Sequence, residues 1–190
     1  MEKFSKLRPK KVIEDNDKEL FSKDGLKVIE FEDWSIIKTK DCIICIPILI
    51  ETNQVILRQE YIPTFKYVDG QEYHATIVAG GIEIGEDPKT ALLRELEEEA
   101  GIVLRDDYNE FEELKPLYLT KGSVNKAYPF LVPLNERDYQ EVIAKGDGSK
   151  AESLSKAVKV DIKYLDSVNF SDIAASYMAL KAKEYLNLLK

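Results

Sequence analysis

AGGIEIGEDPKTALLRELEEEAGI, residues 79–102, is the most informative part of the sequence. It opens with paired glycines, passes through Asp87-Pro88, and crowds four glutamates into five positions before Gly101. Asp is a favoured helix N-cap, Pro suits the first helical position, and Gly favours the C-terminal stop. The stretch therefore predicts a helix from about Pro88 to Ala100.

At about 100° per residue, the side chains of this helix divide into two neighbouring arcs. The apolar arc, which we expect to be buried, contains Leu92, Leu93, Leu96 and Ala100. The acidic arc beside it contains Glu95, Glu98 and Glu99. Glu97 falls away from both arcs, on the side expected to face solvent.

Three carboxylates along one helix edge repel one another, at a cost of roughly a few tenths of a kcal/mol per exposed pair. A solvated acidic face is one interpretation of such a run. The position beside an apolar stripe and behind a glycine-rich loop favours another interpretation. Clustered carboxylate and carbonyl oxygens are the ligands that Mg²⁺ and Mn²⁺ prefer, and a bound cation would turn the repulsion into coordination.

The same stretch resembles the Nudix box, Gx5Ex7REUxEExGU, in which U is an aliphatic residue. Every specified position matches at the required spacing, through Gly80, Glu86, Arg94, Glu95, Leu96, Glu98, Glu99, Gly101 and Ile102. The rest of the chain reads as strands and helices without regular alternation, which favours an α+β (mixed α/β) protein. The resemblance implies a Nudix-type α/β/α sandwich around a mixed sheet, with a small N-terminal antiparallel β subdomain.

The resemblance also implies an enzyme that hydrolyses the diphosphate of a nucleoside diphosphate linked to another group, with Mg²⁺ or alternatively Mn²⁺. It assigns the metal to the Ala79 carbonyl and to the carboxylates of Glu95, Glu98 and Glu99. It assigns catalysis to Arg94, Glu98, Glu99 and Glu152. Glu86 and Gly101 would shape the box.

Within the catalytic set, Arg94 would orient the glutamates by ion pairing. Glu152 is the candidate general base because it lies on the polar loop GDGSKAESLS, before a short predicted strand. A solvated loop glutamate is an equal interpretation of Glu152, and Glu98 is then the alternative base.

Beyond the box, the chain is similar to the ADP-ribose pyrophosphatase branch of the family, through VILRQEYIP, AGG and a C-terminal helix. That likeness implies ADP-ribose or a related nucleotide sugar as substrate, and a homodimer. The candidate substrate-binding residues are Trp34, Arg58, Tyr61, Gly80, Gly81 and Lys121. Tyr61 stands where this branch has an arginine, so Arg58, Lys66 or Lys121 would replace a phosphate contact. Packing is an equal interpretation of Trp34.

The alternating N-terminal segments predict a β subdomain over residues 1–40, for dimerisation or substrate binding, and a hydrolase domain over 41–190. Asp24-Gly25 and Asp69-Gly70 predict hairpin turns. KKVIED, GLKVIEFE, WSIIKTK, CIICIPILI, QVILRQEYI, KPLYLT, AYPFLVPL and KAVKVDI predict strands. The last twenty residues predict a helix capped by Ser171 or Asp172.

Composition excludes several classes of protein. The 190 residues are 44% hydrophobic with a net charge of -8 and no basic tract, which excludes disorder and a nucleic-acid partner. No signal core is present, and the longest apolar run is too short for a membrane. Cys42 and Cys45 are expected to be reduced core residues of a cytoplasmic protein rather than a redox or zinc pair.

Two alternatives to the leading function remain. The same fold could hydrolyse GDP-mannose, dinucleotides or (d)NTPs. It could also bind a nucleotide without cleaving it, although such sensors usually lose a box glutamate and this box is intact.

Overall fold

The computed structural model describes residues 18–146, 148, 153–170 and 172–189. The predicted strand at KKVIED, the candidate base Glu152 and the candidate cap Ser171 lie outside the described residues. The chain divides into two compact units, Met1–Thr39 with Thr120–Val124, and Lys40–Leu119 with Asn125–Lys190.

The first unit is a three-stranded antiparallel sheet of β1 (Lys18–Lys23), β2 (Leu26–Phe31) and β3 (Trp34–Lys38). Asp24 and Gly25, with φ values of 48° and 81°, form the predicted two-residue hairpin between β1 and β2. Ile37 exchanges main-chain hydrogen bonds with Gly122 and Val124, which joins the separate segment to β3.

The second unit is built on a mixed sheet. Its central path is β10 (Leu117–Tyr118), β11 (Lys126–Leu134), β4 (Cys42–Leu49), β5 (Gln54–Tyr61) and β13 (Lys156–Asp161). β6 (Tyr73–Thr76) pairs with β5, β7 (Val78–Gly81) with β4, and β9 (Glu112–Glu113) with β11. Only β11 and β4 run parallel among these pairs. A separate pair joins β8 (Ile102–Leu104) to β12 (Tyr139–Glu141).

The helices are α1 (Pro63–Asp69), α2 (Pro88–Ala100) and α3 (Ile173–Leu188), with 3₁₀ turns at Glu136–Asp138 and Ile162–Ser167. α2 and α3 cover opposite faces of the sheet, as alternation along β4 shows. Ile43 and Cys45 pack in the core under α2, whereas Ile44 and Ile46 pack in the core under α3. The predicted α/β/α sandwich around a mixed sheet is therefore confirmed.

The proline inside β4 sits where a missing N–H costs least. On one side β4 pairs with β7 as far as Cys45, and with β5 only from Ile48 onward. Pro47 lies in the gap between the two partners, where that edge has no ladder bond to lose. The apolar run can thus remain one buried strand that carries both cores.

The box helix has the predicted bounds, but its buried face is rotated from the predicted one. Asp87 caps it by accepting from the Thr90 N–H at 2.9 Å, and Gly101 ends it with φ of 65°. Leu93 was expected to be buried and is 41% exposed. The buried side is instead formed by Ala91, Leu92, Glu95, Leu96, Glu99 and Ala100. Glu95 and Glu99 occupy part of the helix face that packs against the sheet, and Leu93 lies outside that face.

The predicted hairpin at Asp69-Gly70 is wrong. β5 and β6 do pair antiparallel, but α1 lies between them and Gly70 is its C-cap, with φ of 80°. A left-handed glycine serves a helix stop as well as a tight hairpin, so the local signal is ambiguous. Asp172 caps α3 by accepting from the Ala175 N–H at 2.7 Å, as predicted. None of the helices in the described chain is long and apolar enough to cross a membrane.

Candidate active site

A glycine of β7 makes room for the first glutamate of the box. A Cβ atom on Gly80 would lie 1.8 Å from the Glu95 Oε1 atom and 1.9 Å from its Cδ atom. Glu95 is only 6% exposed, so its carboxylate lies directly against the glycine backbone. Any side chain at position 80 would displace this carboxylate. The glycine is therefore required by close approach of a functional group, at an ordinary backbone conformation.

Arg94 connects the glycine loop to the acidic edge of α2. Its Nη1 atom donates to Glu95 at 2.6 Å and to Glu98 at 3.0 Å. Its Nε and Nη2 atoms each donate to Glu86 at 3.1 Å, and Nη2 also donates to the Gly81 carbonyl at 2.9 Å. These hydrogen bonds raise the pKa of the Arg94 guanidinium, with Glu86 contributing most. The guanidinium of Arg94 thus holds three carboxylates and one loop carbonyl in place.

Glu86 closes the loop from the other side. Its Oε2 atom accepts from the Glu83 N–H at 2.9 Å, while both of its oxygens accept from Arg94. The hydrogen bonds from Arg94, then that from Glu83, hold the pKa of the Glu86 carboxyl below its usual value. Its role in this structure is to shape the turn between β7 and α2.

Glu99 is a nearly buried carboxylate of the box whose charge is only partly compensated. Its Oε2 atom accepts from the Ala79 N–H at 3.1 Å, and its Oε1 atom lies 3.7 Å from the Arg58 Nη2 atom. Burial raises its pKa, Arg58 and Ala79 lower it, and the charges of Glu95 and Glu60 raise it again, to about 8. A further cation beside Glu99 would therefore be stabilising.

Arg58 occupies a different place from the exposed phosphate ligand that the sequence suggested. It is 3% exposed, and its Nη1 atom donates to the Glu99 carbonyl at 2.6 Å. Alternation along β5 explains this placement, because Ile56 packs in the core under α2 and Arg58 lies two residues further on the same face. This strand–helix contact is absent from the expectations above, although the alternation along β5 could have indicated it.

Glu60 is a second residue that sequence analysis missed. It is half-buried, follows Arg58 by two residues on β5, and its charge contributes to the raised pKa of Glu99. The alternation of β5 would again have been the only sequence signal. The structure thus adds a carboxylate from the sheet to those of the helix.

The end of the box is fixed by a loop that follows β12. Gly101 donates its N–H to the Leu96 carbonyl and accepts from the Val142 N–H at 2.8 Å. A Cβ atom on Gly101 would lie 2.4 Å from the Val142 carbonyl oxygen, so both its φ and its surroundings require glycine. The Gly146 N–H donates to the Glu98 carbonyl at 3.0 Å. The carbonyls of Leu96, Glu98 and Gly101 thereby have hydrogen-bond partners.

The carboxylates of the box are chemically suited to bind a divalent cation. The set offers hard carboxylate oxygens, two of its glutamates are nearly buried, and Gly80 leaves space that a side chain would fill. In the described part of the chain, no group of three or more His, Cys, Asp or Glu side chains is already arranged around one metal position. Arg94 is instead the cation shared by Glu95 and Glu98.

The remaining candidate residues lie in different surroundings. Tyr61, at the end of β5, packs edge-to-face against Tyr73 with ring centroids 6.2 Å apart. Lys66 on α1 donates to Glu72 at 2.6 Å. Trp34 is 61% exposed, and Lys121 is also exposed; both belong to the first unit. Whether they bind substrate stays a prediction.

Both cysteines are unpaired thiols. Cys45 is fully buried, and burial followed by the charges of Glu99 and Glu95 raises its pKa well above the usual value. Burial, with a contribution from Asp41, raises the pKa of Cys42 to about 11. Thiols held this strongly protonated are unreactive, which supports a packing role.

Comparisons with known proteins identify the family and the fold. A family model described as NUDIX domain matches residues 38–154. A solved structure titled "Crystal structure of ADP compounds hydrolase" has a TM-score of 0.66 and 19% identity, covering 92% of this chain and 93% of that chain. At that identity the likeness shows the fold alone. No curated protein matches the sequence significantly. The match to the family model over most of the chain is decisive: the chain belongs to the Nudix family of pyrophosphohydrolases.

Proposed function

We propose that this protein hydrolyses the diphosphate of a nucleoside diphosphate linked to a second group, with Mg²⁺ as its metal and Mn²⁺ as a substitute. ADP-ribose or a related nucleotide sugar is the proposed substrate. The products would be a nucleoside monophosphate and a sugar phosphate.

The observation that carries this proposal is the burial of Glu95 and Glu99, each 6% exposed, on one helix face beside Gly80. Burying carboxylates is costly unless cations or hydrogen bonds compensate them. Arg94 and Arg58 provide part of that compensation, yet the pKa of Glu99 still rises to about 8. This incomplete compensation favours a bound cation beside the two glutamates over a purely structural role.

In this mechanism the Ala79 carbonyl, Glu95, Glu98 and Glu99 would hold the metal, which supplies charge neutralisation and an activated water. Arg94 keeps the glutamates oriented through the hydrogen bonds described above. Gly80 and Gly81 let the loop backbone come close to the diphosphate. Glu152 remains the proposed general base, with Glu98 as the alternative, because both can accept a proton from water.

The substrate class rests on two observations of different kinds. The branch likeness extends through VILRQEYIP and AGG, and the solved structure of the same fold is named for ADP compounds. Tyr61 replaces the arginine of that branch, and Arg58 is occupied with Glu99. The alternative substrates within the same mechanism are therefore GDP-mannose, dinucleotides or (d)NTPs.

The first unit is proposed to serve in dimerisation and base recognition. Its described strands bury little, and Leu20, Phe21, Trp34 and Ile37 are each between 44% and 61% exposed. Exposed apolar side chains on a small sheet favour burial against a second copy of the chain. Trp34, the single tryptophan, would stack on the nucleobase, so its fluorescence should be quenched when the substrate binds. We propose a cytoplasmic location, consistent with the unpaired cysteines.

The test is metal-dependent release of nucleoside monophosphate from ADP-ribose, GDP-mannose, NADH, diadenosine polyphosphates and dNTPs. Glu99→Gln is the inactive control. Selective turnover of ADP-ribose supports the proposed substrate, and turnover of another compound keeps the mechanism but changes the substrate. Tight nucleotide binding without turnover of any compound would replace the hydrolase with a nucleotide sensor.

A further inference from the structure

We propose that Arg58 is a positioning residue, which holds Glu99 in the one orientation that turnover requires. This inference deepens the proposed function and rests on it, because Glu99 is a catalytic group only if the diphosphate is hydrolysed at this site. Arg58 would act through Glu99 and not by touching the substrate.

Arg58 contacts Glu99 at two points, the main-chain carbonyl and the carboxylate. Its Nη1 atom donates to the main-chain carbonyl of Glu99 at 2.6 Å, and its Nη2 atom lies 3.7 Å from the Glu99 Oε1 atom. The Ala79 N–H holds the other carboxylate oxygen at 3.1 Å. The carboxylate is therefore fixed from the sheet on both sides, and rotation about its side-chain bonds would break at least one contact. The orientation of Glu99 is set by β5 and β7, not by α2.

The contact with the carbonyl also fixes the helix itself. The last carbonyls of a helix have no partner within it, and they carry the negative end of the helix dipole. Arg58 satisfies the Glu99 carbonyl, as Gly146 satisfies that of Glu98. The final turn of α2, which carries both glutamates, is thus attached to strand β5 by a charged hydrogen bond.

Fold stability alone does not account for an arginine at this position. Arg58 is 3% exposed, and its Nε atom is the buried side-chain nitrogen that lacks a hydrogen-bond partner among the described residues. Burying a charged group with an unsatisfied N–H is costly, and replacing a whole buried ion pair by apolar side chains of similar volume is often neutral or stabilising. What such an apolar pair could not do is present an oriented carboxylate at position 99.

The shape of the guanidinium explains why lysine would not suffice. Arginine presents its N–H groups in a rigid planar fork, so it can approach a carbonyl and a carboxylate oxygen of one residue together. Lysine carries the same charge as a single point on a flexible stem. Arg58→Lys therefore preserves the charge but cannot contact the Glu99 carbonyl and carboxylate together. This makes Arg58→Lys the decisive variant.

The experiment compares the parent with Arg58→Lys and Arg58→Met, using full-length protein. It measures kcat and KM at saturating Mg²⁺ with the best compound of the substrate panel, and Mn²⁺ affinity by calorimetric titration without substrate. It also measures the unfolding midpoint of the metal-free protein. Asp138→Asn is the control for a buried charge outside the box, since it should lower the midpoint and leave kcat unchanged.

We expect Arg58→Lys to stay folded and to lose about 10- to 100-fold in kcat, the range typical of residues that orient metal ligands. KM should change little, because Arg58 does not touch the substrate. Mn²⁺ affinity should fall by a similar factor. Arg58→Met should show the same losses with a lower unfolding midpoint, because it leaves Glu99 buried without its cationic partner; if it fails to fold, Arg58→Lys alone decides.

A folded Arg58→Lys with the kcat and Mn²⁺ affinity of the parent would overturn the inference. So would losses of kcat and Mn²⁺ affinity in Arg58→Lys that disappear once both are calculated per folded molecule. A rise in KM with unchanged kcat would overturn it as well, since that result would make Arg58 a substrate ligand. A parent that neither binds Mn²⁺ nor cleaves any compound would instead overturn the proposed function, and the inference with it.

Discussion

Two carboxylates of the second unit, Glu99 and Asp138, are almost withdrawn from solvent, at 6% and 1% exposure, yet their pKa values move in opposite directions. Burial acts to raise the pKa of Asp138. Hydrogen bonds from the main chain and side chain of Asn135, followed by the charges of Arg105 and Arg137, hold it below the usual value. For Glu99, burial prevails over Arg58 and Ala79, and the pKa rises to about 8.

The difference lies in the number of donors and in the neighbouring charges. Asp138 Oδ2 accepts from the Asn135 N–H and from its Nδ2 atom, both at 2.8 Å, which caps the 3₁₀ turn Glu136–Asp138. Glu99 accepts one main-chain N–H and lies near two other carboxylates, Glu95 and Glu60. Asp138 is therefore compensated within the fold, whereas Glu99 is left short of positive charge, as we expect of the metal ligand proposed for it.

The largest effect should come from Glu99→Gln. We expect turnover to fall by at least about 100-fold, the upper end of what disrupting a metal site costs. The metal-free variant should at the same time unfold at a higher temperature than the parent at pH 8, because a buried charge has been removed. Kinetics with Mg²⁺ measure the loss of turnover, and calorimetry in EDTA measures the unfolding temperature of the metal-free protein. A variant as active as its parent would contradict the assignment of Glu99 to the metal.

Gly80→Ala should be the next most damaging change, because its Cβ would lie 1.8 Å from the Glu95 Oε1 atom. We expect a loss of about 10- to 100-fold in turnover and weaker Mn²⁺ binding, as for other disturbances of metal ligands. Gly122→Ala is the matched control, since a Cβ there would meet nothing within 4 Å. Equal activity of the two variants would mean that Glu95 tolerates displacement.

Asp138→Asn tests whether Asp138 contributes to the stability of the fold and not to turnover. It should lower the free energy of unfolding by about 1–3 kcal/mol, because buried N–H donors lose a charged acceptor. Turnover per folded molecule should be unchanged. Urea unfolding and kinetics at one pH measure both quantities, and a loss of kcat without a loss of stability would show that the two clusters are coupled.

The pH dependence of metal-free stability should separate the two residues. The raised pKa of Glu99 means that its contribution is present below about 4.3, the unfolded value, and is lost as the pH rises through about 8. The lowered pKa of Asp138 means that its contribution is present above about 3.9 and is lost as the pH falls through its folded value.

Glu99→Gln should therefore flatten the decline in stability between pH 5 and pH 8, and Asp138→Asn should flatten the decline in acid. Urea unfolding of each metal-free variant across this range provides the measurement. Curves for Glu99→Gln that run parallel to the parent would contradict the raised pKa.

Glu97→Gln should have the smallest effect. Glu97 is exposed on the same helix, two residues from Glu99. Glu97→Gln therefore makes the same chemical change as Glu99→Gln, but at a solvent-exposed position. We expect stability within about 0.5 kcal/mol of the parent, as for most surface substitutions, and unchanged turnover. A marked loss of turnover would place a metal or substrate contact on the outer face of α2.

The local part of the structure could be predicted from the sequence because it depends on near neighbours. Asp87, Pro88 and Gly101 fix the ends of α2 through caps and left-handed φ, and these signals act within a few residues. The glycine and glutamate spacing identified the box for the same reason. Asp69-Gly70 failed because a left-handed glycine ends a helix as readily as it turns a hairpin.

The box, its helix and the family could thus be predicted from the order of the residues. The exposure of Leu93, the contact of Glu95 with Gly80 and the burial of Arg58 against Glu99 follow only from the folded chain. Residues 58 and 99 are brought together by the packing of β5 against α2. Contacts between elements distant in the chain depend on how those elements pack, and no local propensity records which side chain a strand will place beneath a helix.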